Sequence, residues 1–162
     1  MKKYTVAALV KNQFGVLNRV TSMFRRRQFN ISSLTVSETQ SIEYSRITVI
    51  FEGEEDKKQQ LVNQLYKLPD VCAIKELDNE KSVIAEVLLI KMQNLSDSRS
   101  DIMAAADAFN AKTVDYTRDS IIFLLSAESA KIDEFIDLMR DYNILEICRT
   151  GCVALNKGNT TL

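Results

Sequence analysis

The feature that most constrains the fold is a change of apolar period along the chain, between about two and about 3.6 residues. In the first half, short alternating or continuous apolar runs predict strands over residues 4–10, 30–37, 45–51 and 71–77. Apolar residues at helical spacing predict helices over residues 16–27 and around Leu61, Leu65 and Leu68. The predicted order is strand, helix, strand, strand, helix, strand, which is the ferredoxin-like, or split βαβ, arrangement.

The same order of patterns returns after a polar hinge at residues 78–81. Strands are predicted over residues 82–92, 111–116, 120–126 and 144–155, with one helix around residues 102–109 and another around 132–139. We therefore predict an α+β protein of two tandem ferredoxin-like βαββαβ domains. The first domain covers residues 1–77, the second covers 82–155, and residues 156–162 form a flexible tail.

Composition narrows the classes of function. The formal net charge of −1 gives no support for nucleic acid binding, which depends on neutralising phosphates. No apolar run approaches the roughly 18–20 residues that span a bilayer, and the N-terminus does not read as a secretory signal, so we expect a cytoplasmic protein. If Cys148 and Cys152 share a strand, they lie about 13 Å apart, too far for a disulfide.

The residue types that usually carry catalysis are missing or unplaced. The chain has no histidine, and it contains no nucleophile elbow, no Gly-x-Gly-x-x-Gly and no Walker phosphate loop. Its acidic residues fall mostly in turns or on polar helix faces. We expect no catalytic residues and no metal site, and hence a protein that is not an enzyme.

The first strand-to-helix loop, Lys11-Asn12-Gln13-Phe14-Gly15, is the more promising location for a ligand. The matching loop of the second half, residues 92–98, is longer and lacks glycine, so this topology does not require Gly15. A helix start presents unpaired N–H groups to an anion, and glycine lets a ligand approach the backbone closely. The sequence leaves two interpretations open here, an anion site with an apolar wall at Val16 and Leu17, and an ordinary turn glycine.

The second strand is predicted to lie at a sheet edge. Residues 30–36 contain no charge and no proline, so nothing in the sequence protects that edge from pairing. We expect two copies of the chain to pair edge to edge across a two-fold axis, as a homodimer.

Three segments together resemble a known family. They are Asn12-x-x-Gly15-Val16-Leu17-x-Arg19-Val20, then Phe24-x-Arg26-Arg27, then Phe29-Asn30-Ile31-x-Ser33-Leu34-Thr35-Val36. They resemble the regulatory (small) subunit of acetolactate synthase, also called acetohydroxyacid synthase, whose first domain is an ACT domain. The hinge position, the strand at residues 86–91 and the closing Arg149-Thr150-Gly151 fit the same family.

This resemblance implies a non-catalytic subunit that activates a catalytic subunit and confers feedback inhibition by valine, in branched-chain amino acid biosynthesis. Thiamine diphosphate, FAD and magnesium are then expected on the catalytic partner and no cofactor on this chain. The implied valine site has Gly15, Val16 and Leu17 offering N–H groups to the carboxylate, with Asn12 lining the loop. Asn30 and Ile31 from the second copy would meet the amino group and close the pocket.

One departure from the family concerns the end of the first helix. Gln28 stands where the family often has glycine. If this residue adopts a left-handed conformation, glutamine costs about 1 kcal/mol more than glycine.

Two other functions stay open from the sequence. The first is a stand-alone tandem ACT-type sensor that acts on a different partner. The second is an RNA-binding protein, because the same topology underlies the RNA recognition motif. The predicted central strands, 4–10 and 45–51, carry aromatic residues only at their ends, which disfavours the RNA-binding interpretation.

Overall fold

A computed structural model describes residues 2–162 of the chain. It divides into two compact units, one formed by residues up to 84 together with 152–162, the other by residues 85–151. No helix among residues 2–162 is long and apolar enough to cross a membrane.

The first unit has the predicted order of elements. Its strands are β1 (Lys2–Lys11), β2 (Ile31–Glu38), β3 (Tyr44–Gly53) and β4 (Val71–Leu77), and its helices are α1 (Val16–Arg26) and α2 (Glu55–Tyr66). The sheet order is β2-β3-β1-β4, and neighbouring strands are antiparallel. The prediction that the second strand lies at an edge is confirmed.

One face of this sheet packs against both helices. The strand residues turned to the helices follow the period-two pattern, and the helices add residues at helical spacing; this core includes Tyr4, Val6, Ala8, Val10, Val20, Phe24, Ile47, Val49, Phe51, Leu61 and Leu65. Full burial of a large apolar side chain contributes about 1.5–3 kcal/mol each. The apolar pattern that predicts the fold therefore also places the side chains whose burial stabilises it.

The other face of the same sheet is covered by the end of the chain. A short strand, β9 (Val153–Asn156), pairs with the strand that begins at Ser82. Ala154 packs with Ala7 and Leu77, and Ala7 is 0% exposed and Ala154 4%. The contacts thus assign residues 152–162 to the first unit, whereas the sequence pattern predicted 152–155 in the second domain and 156–162 in a tail.

The end of α1 is closed by a left-handed residue. Gln28 has φ 57°, its N–H donates to the carbonyl of Arg25 at 3.1 Å, and the N–H of Phe29 donates to the carbonyl of Phe24 at 3.2 Å. This is the Schellman arrangement, and the rings of Phe24 and Phe29 add its usual apolar contact, with centroids 6.2 Å apart. The conditional expectation for Gln28 is met, because it does occupy the left-handed position.

The second unit repeats the topology. Its elements are β5 (Ser82–Gln93), α3 (Arg99–Phe109), β6 (Lys112–Tyr116), β7 (Ser120–Ala127), α4 (Ser129–Met139) and β8 (Ile144–Arg149), with the sheet order β6-β7-β5-β8. α3 also ends on a left-handed residue, Asn110, at φ 58°. The prediction of two ferredoxin-like units is confirmed, and each unit has its own core.

Candidate effector-binding site

The start of α1 is set by a left-handed glycine. Gly15 has φ 82° and ψ −7°, a conformation that side chains with a Cβ rarely adopt. The N–H of Arg19 donates to the carbonyl of Gly15 at 3.0 Å, so the helix begins at once. No side chain caps this helix start, so the N–H groups of the first turn have no side-chain acceptor.

The three residues proposed to offer N–H groups differ in availability. The N–H of Val16 already donates to the carbonyl of Gln13 at 3.3 Å, and the Val16 side chain is buried in the core. Leu17 is 43% exposed. The apolar wall expected from Val16 and Leu17 is thus supplied by Leu17 alone, because Val16 is used to anchor the helix to the sheet.

Asn12 braces the loop that leads into the helix. Its side-chain Nδ2 donates to the carboxylate of Glu38 at 3.2 Å and to the carbonyl of Ile42 at 3.0 Å. Its backbone N–H donates to the carbonyl of Glu43 at 2.8 Å. Asn12 therefore ties the β1–α1 loop to the end of β2 and to the turn that follows it, and both of its amide hydrogens are committed.

Within one chain, Asn30 and Ile31 do not meet Gly15. Ile31 pairs with Phe51, and Phe51 pairs with Tyr4, near the beginning of β1. Gly15 follows the opposite end of β1. Lys11 is seven positions beyond Tyr4 along the strand, which at 3.3 Å per residue is about 23 Å.

An arginine that the sequence motif contained, but to which we gave no role, lies beside Gly15. Arg19 donates from Nε to Oδ2 of Asp70 at 2.8 Å, and its Nη2 lies 2.6 Å from the same oxygen. Its Nη1 lies 3.6 Å from the position that a Cβ would take at Gly15. The one available signal was the i, i+4 spacing of Gly15 and Arg19, because side chains on a helix lean towards its N-terminus.

A second ionic cluster lies at the other end of the first unit. Tyr4 donates from its hydroxyl to Glu55 at 3.0 Å, and Lys58 contacts both Glu55 and Glu76, the latter at 2.7 Å. Burial and the bond to Glu55 raise the pKa of Tyr4, whereas the bonds from Lys58 and Tyr4 lower the pKa of Glu55. Lys58 is thus shared by two carboxylates, one of which also accepts the hydrogen bond from Tyr4.

The buried carboxylate of the second unit is similarly committed. Glu86 accepts from Arg149 at 2.6 and 3.0 Å and from the hydroxyl of Ser129 at 2.8 Å, and Arg149 also contacts Asp133 at 2.7 Å. The bonds to Glu86 are the main reason that the pKa of Arg149 is raised. This cluster holds β5, α4 and β8 together.

No metal-binding cluster was found in residues 2–162, where no three His, Cys, Asp or Glu side chains are arranged to hold an ion. None of the three cysteines, Cys72, Cys148 and Cys152, is in a disulfide bond. Cys148 lies in β8 and Cys152 falls between β8 and β9, so the two do not share a strand.

Comparison with known proteins defines the class. Residues 6–73 match the model of the small-subunit-like ACT domain of AHAS (acetohydroxyacid synthase), and residues 85–158 match the model described as the small subunit of acetolactate synthase. The first unit, with its glycine-initiated helix, is thus an ACT domain.

Relatives that match over nearly their whole length are small subunits of the same enzyme. A probable acetolactate synthase small subunit of Archaeoglobus fulgidus is 43% identical over 97% of this chain and 98% of its own. The acetolactate synthase small subunit of Bacillus subtilis is 40% identical over 96% and 91%. The crystal structure of an acetolactate synthase small subunit from Thermotoga maritima matches with a TM-score of 0.92 and 33% identity, over 99% of this chain and 100% of that one. The chain belongs to the acetolactate synthase small subunit family.

Proposed function

We propose that this chain is a non-catalytic regulatory subunit. It binds the catalytic subunit of acetolactate synthase, raises its activity and makes it sensitive to a branched-chain amino acid, valine being the expected effector. The observation that carries the proposal is the match of both units, over nearly the whole chain, to small subunits of this enzyme. On this proposal the thiamine diphosphate, FAD and magnesium belong to the catalytic partner.

The proposed effector site is built around the start of α1. An amino acid carboxylate would accept hydrogen bonds from the N–H groups of Gly15 and Leu17, where the helix dipole favours an anion. The exposed side chain of Leu17 gives an aliphatic effector an apolar contact. The loop that carries this site is fixed against the end of β2 by the bond from Asn12 to Glu38.

The remaining part of the site comes from a second copy. If two β2 strands pair antiparallel across a two-fold axis, the beginning of one strand lies beside the end of the other. The end of β2 carries Glu38, which is bonded to Asn12 beside the site. Such pairing would bring Asn30 and Ile31 of the second copy towards Gly15, closing a distance that one chain alone cannot close.

Titration calorimetry with valine, together with size-exclusion chromatography, tests this proposal on the full chain. We expect saturable valine binding to a homodimer. Val36→Lys introduces a charge on the exposed part of β2, where Val36 is 39% exposed, and should weaken both association and valine binding. A chain that stays monomeric, or that binds none of valine, leucine and isoleucine, would refute the proposed effector site.

A further inference from the structure

We propose that Arg19 is a ligand of the effector's carboxylate and that Asp70 holds it in position for this role. The inference rests on the effector site proposed above and assigns that site a charged side chain. It concerns how the site distinguishes an amino acid from the corresponding amino amide, in which the carboxylate is replaced by a neutral group.

The geometry leaves one arm of the guanidinium for a ligand. Nε and Nη2 of Arg19 both contact Oδ2 of Asp70, at 2.8 and 2.6 Å. Nη1 lies 3.6 Å from the vacant Cβ position of Gly15. Because Gly15 lacks a side chain, a ligand oxygen at the N-terminal end of α1 can approach this nitrogen and the backbone N–H groups together.

The position of Arg19 is fixed before any ligand arrives. Asp70 is buried, and its carbonyl accepts the N–H of Lys11 at 2.8 Å, at the end of β1. The Arg19 side chain remains 48% exposed, so it is held on one side and open to solvent on the other. A guanidinium that is already oriented loses less conformational freedom when it binds a carboxylate.

The pair also makes a prediction about selectivity. Asp70 neutralises the formal charge of Arg19, so the preference for an anion arises from the Nη1 donor and from the helix start. A carboxylate accepts charge-assisted hydrogen bonds from both, whereas a neutral carboxamide makes weaker bonds to them. The unmodified protein should therefore bind valine more tightly than valinamide.

The test compares valine and valinamide by titration calorimetry on the full chain, unmodified and as Arg19→Gln. We expect Arg19→Gln to weaken valine binding about tenfold to a hundredfold, the usual effect of losing a hydrogen bond to a charged group. Valinamide binding should change by less than about threefold. Arg25→Gln, on the exposed last turn of the same helix, is the control and should leave both affinities unchanged.

The other outcomes overturn the proposal. Equal loss of both ligands in Arg19→Gln would mean that Arg19 acts only on the structure of the loop, and unchanged valine affinity would mean that it does not contact the carboxylate. If Arg19→Gln does not fold, Arg19→Lys replaces it. Lysine has a single ammonium group in place of the planar guanidinium, so it cannot contact Asp70 and the ligand with the same geometry. Arg19→Lys should then weaken the binding of valine and leave the binding of valinamide unchanged. Equal effects on the two affinities would again refute the role of Arg19 as a carboxylate ligand. Failure of the unmodified chain to bind any branched-chain amino acid would instead refute the proposed effector site, and the role of Arg19 with it.

Discussion

The backbone N–H of Cys152 donates a hydrogen bond of 3.0 Å to the hydroxyl of Ser33, joining the last segment of the chain to the edge strand of the first sheet. Further along the segment, Nη2 of Arg46 donates to the carbonyl of Ala154 at 2.7 Å, and Lys75 donates to the carbonyl of Thr161 at 3.2 Å. These bonds reach β2, β3 and β4 in turn. Residues 152–162 therefore form a layer over the sheet face opposite the helices.

The first prediction tests this layer with Ala154→Leu. The larger side chain would overpack the contact with Ala7 and Leu77 and should lower the free energy of unfolding by about 1–3 kcal/mol. Val153→Leu, which enlarges the neighbouring exposed side chain, is the matched control and should change it by less than about 0.5 kcal/mol. Urea unfolding followed by circular dichroism measures both. Equal stability of the two variants would show that the segment does not pack on the sheet.

The second prediction concerns the left-handed residue at the end of α1. Gln28→Gly should raise the free energy of unfolding by about 0.5–1 kcal/mol, because glycine adopts a positive φ without steric penalty. Gln60→Gly, in the exposed middle of α2, should lower it by roughly 0.5–1 kcal/mol. Thermal unfolding distinguishes the two. A loss of stability in Gln28→Gly would contradict the assigned backbone conformation.

The third prediction concerns Gly15→Asp, which should abolish valine binding. At φ 82° the new side chain is strained by about 1 kcal/mol, and its carboxylate would lie near Nη1 of Arg19, in the position proposed for the effector's carboxylate. Gly158→Asp is the control, since Gly158 also has a positive φ, 72°, but faces open space. Calorimetry should show valine binding only in the control. Unchanged affinity in Gly15→Asp would mean that the effector binds elsewhere.

The fourth prediction concerns pH and the cluster around Glu55. Lys58 and Tyr4 hold the pKa of Glu55 below its usual value of 4.5. Because the pKa is lower in the folded state, the resulting stability is fully present above about pH 4.5 and is lost as the pH falls through the folded value. Glu55→Gln should therefore lose less stability than the unmodified chain between about pH 5 and about pH 3.

Melting temperatures across this range provide the measurement. Glu43→Gln, an exposed glutamate in the turn between β2 and β3, is the control and should follow the unmodified chain. An identical pH dependence in Glu55→Gln and in the unmodified chain would exclude a stabilising role for the cluster.

The order of elements, the edge position of β2 and the unusual Gly15 could all be predicted from the sequence, because each leaves a local pattern. The packing of residues 152–162 could not be predicted, since the alternation of Val153, Ala154 and Leu155 does not say which surface buries Ala154. The pairing of Arg19 with Asp70 was also missed. These residues are 51 positions apart, and only the folded chain brings the end of β1 and the beginning of β4 together.

The burial of Val16 shows a second limit of prediction from the sequence. From its sequence neighbours, Val16 is predicted only as part of the ligand site, because it follows Gly15. Its i, i+4 spacing with Val20, which continues to Phe24, places it on the buried face of the helix. The core role accounts for its side chain, because the first turn of the helix must be anchored to the sheet. A motif read residue by residue does not separate the side chains that support a site from those that face it.

The proposed regulatory role is tested by the acetolactate synthase activity of the purified catalytic subunit, measured with and without this chain while valine is titrated. We expect the chain to raise the activity and valine then to lower it, with no valine effect when Gly15→Asp replaces the unmodified chain. Activity that is unchanged by the chain, at every valine concentration, would contradict the assignment of a regulatory subunit.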